Sequence, residues 1–304
     1  MRTEHSAKPS WQIRVLNRVL RRVKKNTSGF DIAQSRDFLR RVDRFFHTPR
    51  SVKFVDDNAA GVEGQWLVAP ESDRDRVILY LHGGGFCLSE SVLHKKMVAK
   101  LCRLSGFKAY VPRYRLAPEH PFPAGLDDCV TSYRWLVNSG YAPRNIVIAG
   151  DSAGGALTLS TIGSLRDDGD PLPASGVMLS AGTDLSDEAA PDTEQIRRDP
   201  LLPWDALQAM RRAYLGNAHP RNPRVSPVFY DYRGFPPLLF HVGSTEILFD
   251  HATRAAARAQ LAGVDTRIKI WEDAPHVFQA MGFLPESKMA LREIAEFVAR
   301  TGGA

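Results

Sequence analysis

Ser152 stands in Gly150-Asp151-Ser152-Ala153-Gly154, a G-x-S-x-G pattern. A serine hydroxyl becomes an acyl-transfer nucleophile when a base takes its proton and nearby amides hold the developing oxyanion. A source of such amides lies 70 residues upstream, in His82-Gly83-Gly84-Gly85-Phe86. Three glycines in a row are costly to order, but they leave no Cβ between backbone N–H groups and a reacting oxygen. The donors assigned from this pattern are the amides of Gly83 and Gly84, together with Ala153, the residue after the nucleophile. His82, Gly85 and Asp151 are read as supporting residues, with Asp151 accepting from nearby backbone.

A bare G-x-S-x-G recurs by chance, so its surroundings decide its meaning. Ile146 to Ala149 is a short apolar, mostly β-branched run that predicts a buried strand. Ala156, Leu157, Leu159, Ile162 and Leu165 then follow a helical period. Strand, tight turn and helix is the context of a nucleophile elbow, with Gly150 and Gly154 small where strand and helix pass close together. Val77 to Leu81 predicts another strand, ending at His82.

The rest of the chain keeps the same alternation. Strands are predicted at Lys108 to Val111, Val177 to Ala181, Leu238 to Val242 and Arg267 to Trp271. Helices are predicted at Lys95 to Leu104, Leu126 to Leu136, Thr253 to Leu261 and Lys288 to Arg300. This order predicts an α/β fold with a mostly parallel central sheet flanked by helices on both faces. Residues 184–224 interrupt it with acidic, proline-punctuated text around a helical stretch, Trp204 to Leu215, as binding inserts do.

Residues 1–10 are polar and predicted to be frayed. Trp11 to Lys25 reads as a basic amphipathic helix carrying Ile13, Val15, Leu16, Val19, Leu20 and Val23. Thr27-Ser28-Gly29 interrupts it, and a second helical pattern bears Ile32, Phe38, Leu39, Val42, Phe45 and Phe46. These two helices are expected to pack their apolar faces on the main domain, with adsorption to an anionic lipid surface as the alternative.

The chain's net charge of +6 suggests nucleic acid until it is located. Residues 1–50 hold 13 Lys/Arg against 4 Asp/Glu, whereas the remaining 254 hold 27 against 30. The body is slightly acidic, which excludes a nucleic-acid footprint. Three cysteines, Cys87, Cys102 and Cys129, suit neither a disulfide framework nor a zinc site. With no apolar run of about 18–20 residues and no signal-peptide pattern, a cytoplasmic protein is expected.

His82–Phe86, Gly150–Gly155 and the run Tyr114-Arg115-Leu116-Ala117-Pro118-Glu119-His120-Pro121-Phe122-Pro123-Ala124 together resemble the hormone-sensitive-lipase-like (bacterial family IV) esterases. The resemblance spans most of residues 51–300. It implies an α/β-hydrolase fold, hydrolysis of short- to medium-chain acyl esters of small molecules, and neither cofactor nor metal. It also implies a helical cap built from residues 1–50 and the insert at 184–224, set on a catalytic domain over 51–304. Pairing of two copies into a homodimer follows only by analogy. Arg113, Arg115 and Glu119 are expected to form one structural polar cluster beneath the glycine loop.

The base comes last in such chains. His276, in Asp273-Ala274-Pro275-His276-Val277-Phe278 after a predicted strand, has that position and the family's H-x-F pattern; His241 lies inside an apolar strand and reads as core. For the acid, the family has Asp-Pro-Leu-x-Asp where this chain has Glu246-Ile247-Leu248-Phe249-Asp250. Glu246 stands at the acid position, with Asp250 as the alternative. A deacetylase or lactone hydrolase on the same scaffold stays open, as does a non-catalytic ligand-binding module, which His276 opposes.

Overall fold

A computed structural model describes residues 2–25, 30–45, 47–186, 188 and 190–303 of the chain. The strands are β1 (Arg2–His5), β2 (Lys53–Ala59), β3 (Val62–Val68), β4 (Val77–Leu81), β5 (Lys108–Pro112), β6 (Ile146–Asp151), β7 (Ser175–Leu179), β8 (Leu238–Gly243) and β9 (Thr266–Trp271). Among the described residues they form one nine-stranded sheet in the order β1-β9-β8-β7-β6-β4-β5-β3-β2. Only β3 runs against its neighbours, β2 and β5. Every residue of β4, β6, β7 and β8 is buried. Continuous apolar runs are what strands covered on both faces require.

The covering helices divide between two cores. α4 (Ala124–Asn138), α5 (Ala153–Asp167) and α8 (Phe249–Leu261) bury one face through residues such as Leu126, Leu159 and Ala255. α3 (Val92–Ser105) and α9 (Pro285–Thr301) bury the other through Met97, Leu101, Leu291 and Ile294.

The opening residues correct the expectation of a frayed end. Arg2–His5 pair in parallel with Arg267–Ile270 at the edge of the sheet. The segment needs no apolar pattern, because backbone groups of β9 supply the partners and one side of an edge strand faces water.

α1 (Trp11–Lys25) forms where its period predicts, but its apolar residues do not share one face. Ile13 is fully buried in a cluster with Trp271, Ala274 and Phe278, and Leu16 packs against it. Trp11, Val15, Val19 and Val23 are exposed. At 100° per residue, steps of four advance by only 40° each, so these four follow one outward stripe that begins about 160° around the helix from Ile13. α2 (Ile32–Asp43) starts at Asp31, whose side chain accepts from the Gln34 N–H, and buries none of its residues. The break at Thr27-Ser28-Gly29 and the position of Phe46 lie outside the described residues.

The insert carries α6 (Thr193–Arg198) and α7 (Trp204–Leu215), and no strand among the described residues of 184–224. Lys24 Nζ donates to the carbonyls of Ile196 and Asp199 at 3.1 and 2.8 Å, joining α1 to the insert. No helix among the described residues is long and apolar enough to cross a membrane.

Candidate active site

Because β4, β6, β8 and β9 are parallel, their carboxyl ends meet at one edge, where open α/β sheets place their ligands. The register sets Leu81 beside Gly150, Asp151 beside Leu179 and Gly243 beside Trp271. The glycine loop, Ser152, the Glu246 loop and the His276 loop thus leave the same edge.

Ser152 is the residue between β6 and α5, with φ 53° and ψ −120°. A positive φ is strained for a residue with a Cβ and persists only where the surroundings impose it. Here the Ser152 N–H donates to the Leu179 carbonyl at 2.7 Å, and its own carbonyl accepts from the Gly182 N–H at 3.2 Å. The glycines on either side are sterically required. A Cβ on Gly154 would lie 1.9 Å from the Leu81 carbonyl oxygen, and one on Gly150 would lie 2.3 Å from that of Gly154.

Glu246 and His276 are both buried. His276 Nδ1 lies 2.8 Å from Glu246 Oε2. The other carboxylate oxygen accepts from the Gly243 N–H at 2.5 Å and from the Ser180 hydroxyl at 2.8 Å. With those acceptors filled by donors, Oε2 is left to hold the proton of Nδ1, which leaves Nε2 free to act as a base. Burial disfavours the imidazolium of His276, but the hydrogen bond and charge of Glu246 outweigh it and hold the group above its ordinary range. The two loops are also clasped directly. Thr245 Oγ1 donates to the Ala274 carbonyl at 2.8 Å, and the Asp273 N–H donates to Ser244 Oγ at 3.0 Å. Asp250, the alternative acid, accepts from Gln195 Nε2 at 3.0 Å in an exposed position.

Ser180, which the sequence shows only as part of an apolar strand, brackets this pair. Besides Glu246, its Oγ accepts from the Val277 N–H at 3.1 Å, next to His276. The residue sits at φ 52° just past β7. Ser180→Ala is expected to leave a buried N–H and a carboxylate lone pair unsatisfied, a loss of about 1–3 kcal/mol. Thermal unfolding checks it, and an unchanged midpoint would show that water replaces the hydroxyl.

The glycine loop is braced from below by side chains that the motif does not announce. Asp151 Oδ1 accepts from the Tyr80 hydroxyl at 2.7 Å and from the Gly83 N–H at 3.2 Å. Asp151 Oδ2 lies 3.2 Å from His94 Nε2, while His94 Nδ1 accepts from the Ser91 N–H. Burial would raise the pKa of Asp151, but His94 and Tyr80 hold it below the ordinary carboxylate value. The Gly83 amide, one of the expected oxyanion donors, is thus engaged by Asp151. Among the described residues, no hydrogen bond engages the N–H of Gly84 or Gly85. Both have positive φ, 122° and 60°.

His82 is buried and lies stacked on Tyr114, with ring centroids 4.3 Å apart. Its Nδ1 is 2.8 Å from the Gly83 carbonyl, and burial lowers its pKa, so it holds the loop as a neutral donor. Arg113, Arg115 and Glu119 do not form the single cluster expected of them. Arg113 pairs with Asp56, Arg115 with Asp128, and Glu119 with Arg36. Arg36 of α2 also donates to the carbonyls of Cys87 and Ala117, and the Ala117 N–H donates to the Phe86 carbonyl at 3.0 Å, so both tie the run after Tyr114 to the glycine loop.

The insert reaches the same loop. Tyr214 of α7 stacks on Phe86 at 3.7 Å and 8°. A Cβ on Gly85 would lie 2.0 Å from Met210 Sδ. Met210 and Leu88 also line a mainly apolar cavity of about 460 Å³, with Phe38, Leu39 and Leu202 among its other walls.

A family model described as the alpha/beta hydrolase fold matches residues 78–280. The chain belongs to this α/β-hydrolase family. An acetyl-hydrolase of Streptomyces hygroscopicus is 37% identical to this α/β hydrolase over 79% of the chain and 80% of that protein. An esterase of Acinetobacter venetianus is 32% identical over 94% of the chain and 96% of that protein. The crystal structure of an esterase from the bacterial hormone-sensitive lipase family superposes with a TM-score of 0.90 at 36% identity, covering 98% of this chain and all of that one. This α/β hydrolase is therefore of the hormone-sensitive-lipase-like kind.

Proposed function

We propose that this α/β hydrolase is a serine carboxylesterase, cleaving short- to medium-chain acyl esters of small molecules through an acyl-enzyme. The observation that carries the reading is the buried Glu246–His276 pair at the sheet edge that also presents Ser152 on a positive-φ turn. Ser152 Oγ attacks the ester carbonyl as His276 takes its proton. Glu246 keeps the imidazole in the required tautomer and stabilises the imidazolium. The tetrahedral oxygen settles on the amides of Gly84, Gly85 and Ala153, because the Gly83 amide serves Asp151. His276 then protonates the departing alcohol, and water activated by the same nitrogen releases the acid.

Residues 1–50 and the insert at 184–224 act as the cap in this reading. Its residues Phe38, Leu202 and Met210 supply an apolar cavity for the acyl or alcohol group. The acetyl-hydrolase among the relatives favours a small acyl group. The three free, buried cysteines support a reducing cytoplasm as the place of work.

A chain-length series tests the assignment. p-Nitrophenyl acetate and butyrate are expected to turn over faster than the palmitate ester, with an initial burst of p-nitrophenol near one equivalent if deacylation limits the rate. Absence of turnover on every ester would refute it. The pH profile gives a second check. His276 works as a base only when neutral, and Glu246 raises its pKa, so kcat/KM is expected to fall on the acid side with a midpoint above the ordinary histidine value of about 6.5. A midpoint well below that value would mean that the base is not this paired histidine.

A further inference from the structure

Helix α1 presents two outward surfaces side by side. One is an apolar row at four-residue steps: Trp11 is 70% exposed, Val15 46%, Val19 49% and Val23 57%. The other is a row of arginines. Arg14, Arg18, Arg21 and Arg22, with Asn17 and Asp273, line a depression of about 430 Å³. Asp273 is its single acidic group. Among the described residues, Arg14, Arg18 and Arg22 form no salt bridge, and Arg21 donates only to the Arg198 carbonyl, at 3.4 Å. At 100° per residue, Arg18 and Arg22 project within about 20° of Trp11, so the two rows adjoin along the helix.

Isolated exposed apolar side chains are ordinary, but a row of four on one helix beside unpaired cations is a surface of mixed, definite chemistry. A second copy of the chain fits it poorly. A two-fold contact is self-complementary, so it would set the arginine row of one copy close to that of the other. A surface with dense negative charge over an apolar interior fits both rows at once. The charge distribution also orients the molecule, since residues 1–50 carry 13 cations against 4 acids while the rest holds 27 against 30.

We propose that α1 seats this protein on an anionic lipid bilayer, its arginine row at headgroup level and Trp11, Val15, Val19 and Val23 in the interface. The helix lies in the plane of the surface and spans nothing. Its inner face stays docked through Ile13 on Trp271 and Phe278, so seating requires no unfolding of the helix from the body. This is independent of the chemistry assigned to Ser152, and its test reads binding alone.

The test is co-sedimentation of the full chain with vesicles of phosphatidylglycerol mixed with phosphatidylcholine, and with vesicles of phosphatidylcholine alone. The protein is expected to pellet with the anionic vesicles, to be released by high salt, and to stay in the supernatant with the neutral ones. Each basic residue near such a surface contributes about fivefold, so changing Arg14, Arg18, Arg21 and Arg22 to Gln is expected to weaken binding by roughly 600-fold. The Trp11→Ser, Val19→Ser double variant is expected to weaken it as well. Circular dichroism and thermal unfolding establish that both variants are folded. Failure to pellet, equal binding to neutral vesicles, or undiminished binding by the Trp11/Val19 variant would overturn the proposal. So would light scattering that shows a dimer dissolved by the same variant, since the apolar row would then belong to a second copy.

Discussion

Replacing Ser152 by alanine is expected to lower kcat for p-nitrophenyl butyrate by on the order of 10⁶-fold. The size of the effect follows from covalent catalysis, since without the hydroxyl no acyl-enzyme forms and Glu246 and His276 have nothing to activate. Residual turnover of about 10³–10⁴ over the uncatalysed rate would remain from the amides and the bound geometry. The fold should hardly notice. The strained φ of 53° is imposed on the backbone by the Leu179 and Gly182 hydrogen bonds, which alanine retains. Thermal unfolding should therefore be unchanged while activity vanishes. Turnover within about tenfold of the parent would remove Ser152 from the mechanism and with it the whole assignment.

Glu246→Gln is expected to cost about 10⁴ in kcat, a loss of the kind seen when a triad acid is made neutral. The carboxylate accepts from Gly243, Ser180 and Nδ1 of His276. An amide can satisfy two of these through its oxygen, but its NH₂ then faces Nδ1 and favours the tautomer with the proton on Nε2, where the base must be free. Removing the negative charge also removes what raises the pKa of His276, so the acid limb of kcat/KM should move to lower pH as the rate falls. Asp250→Asn provides the contrast. Among the described residues, the Asp250 carboxylate meets Gln195 on the surface, and its change should leave kcat within about threefold. A larger loss from Asp250→Asn than from Glu246→Gln would reverse the assignment of the acid.

The placement of Ser152, Glu246 and His276 at one sheet edge is legible because each lies in a short motif directly after a strand, and parallel strands bring such ends together. The brackets around them are not. Ser180 touches Glu246 across 66 residues of chain, and His94 touches Asp151 across 57. A serine closing an apolar strand and a histidine on an amphipathic helix carry no local sign of those partners. The order of glycines could not reveal which amides stay open, because that depends on the turn each φ makes: Gly83 folds back onto Asp151, while Gly84 and Gly85 take positive φ. Arg113, Arg115 and Glu119 were grouped because they are close in sequence, yet each found a partner from a different element. α1 was legible as a helix but not as one with two destinations, since periodicity counts apolar residues without saying which of them the body has room to cover.

The pairing of β1 with β9 has a consequence for how the chain is made. Arg2 and Arg267 are 265 residues apart, and β9 ends a few residues before His276. At about 5–20 residues per second, the first strand leaves the ribosome roughly 10–50 s before its partner. Throughout that interval β1 lacks its only partner in the sheet, and β8, once made, lacks the neighbour that completes its own edge until β9 follows. Completion of that sheet edge and arrival of His276, the proposed base, are therefore late events of synthesis that fall close together. In the proposed mechanism, a nascent chain that has extruded Ser152 and the glycine loop still awaits His276, its proton acceptor.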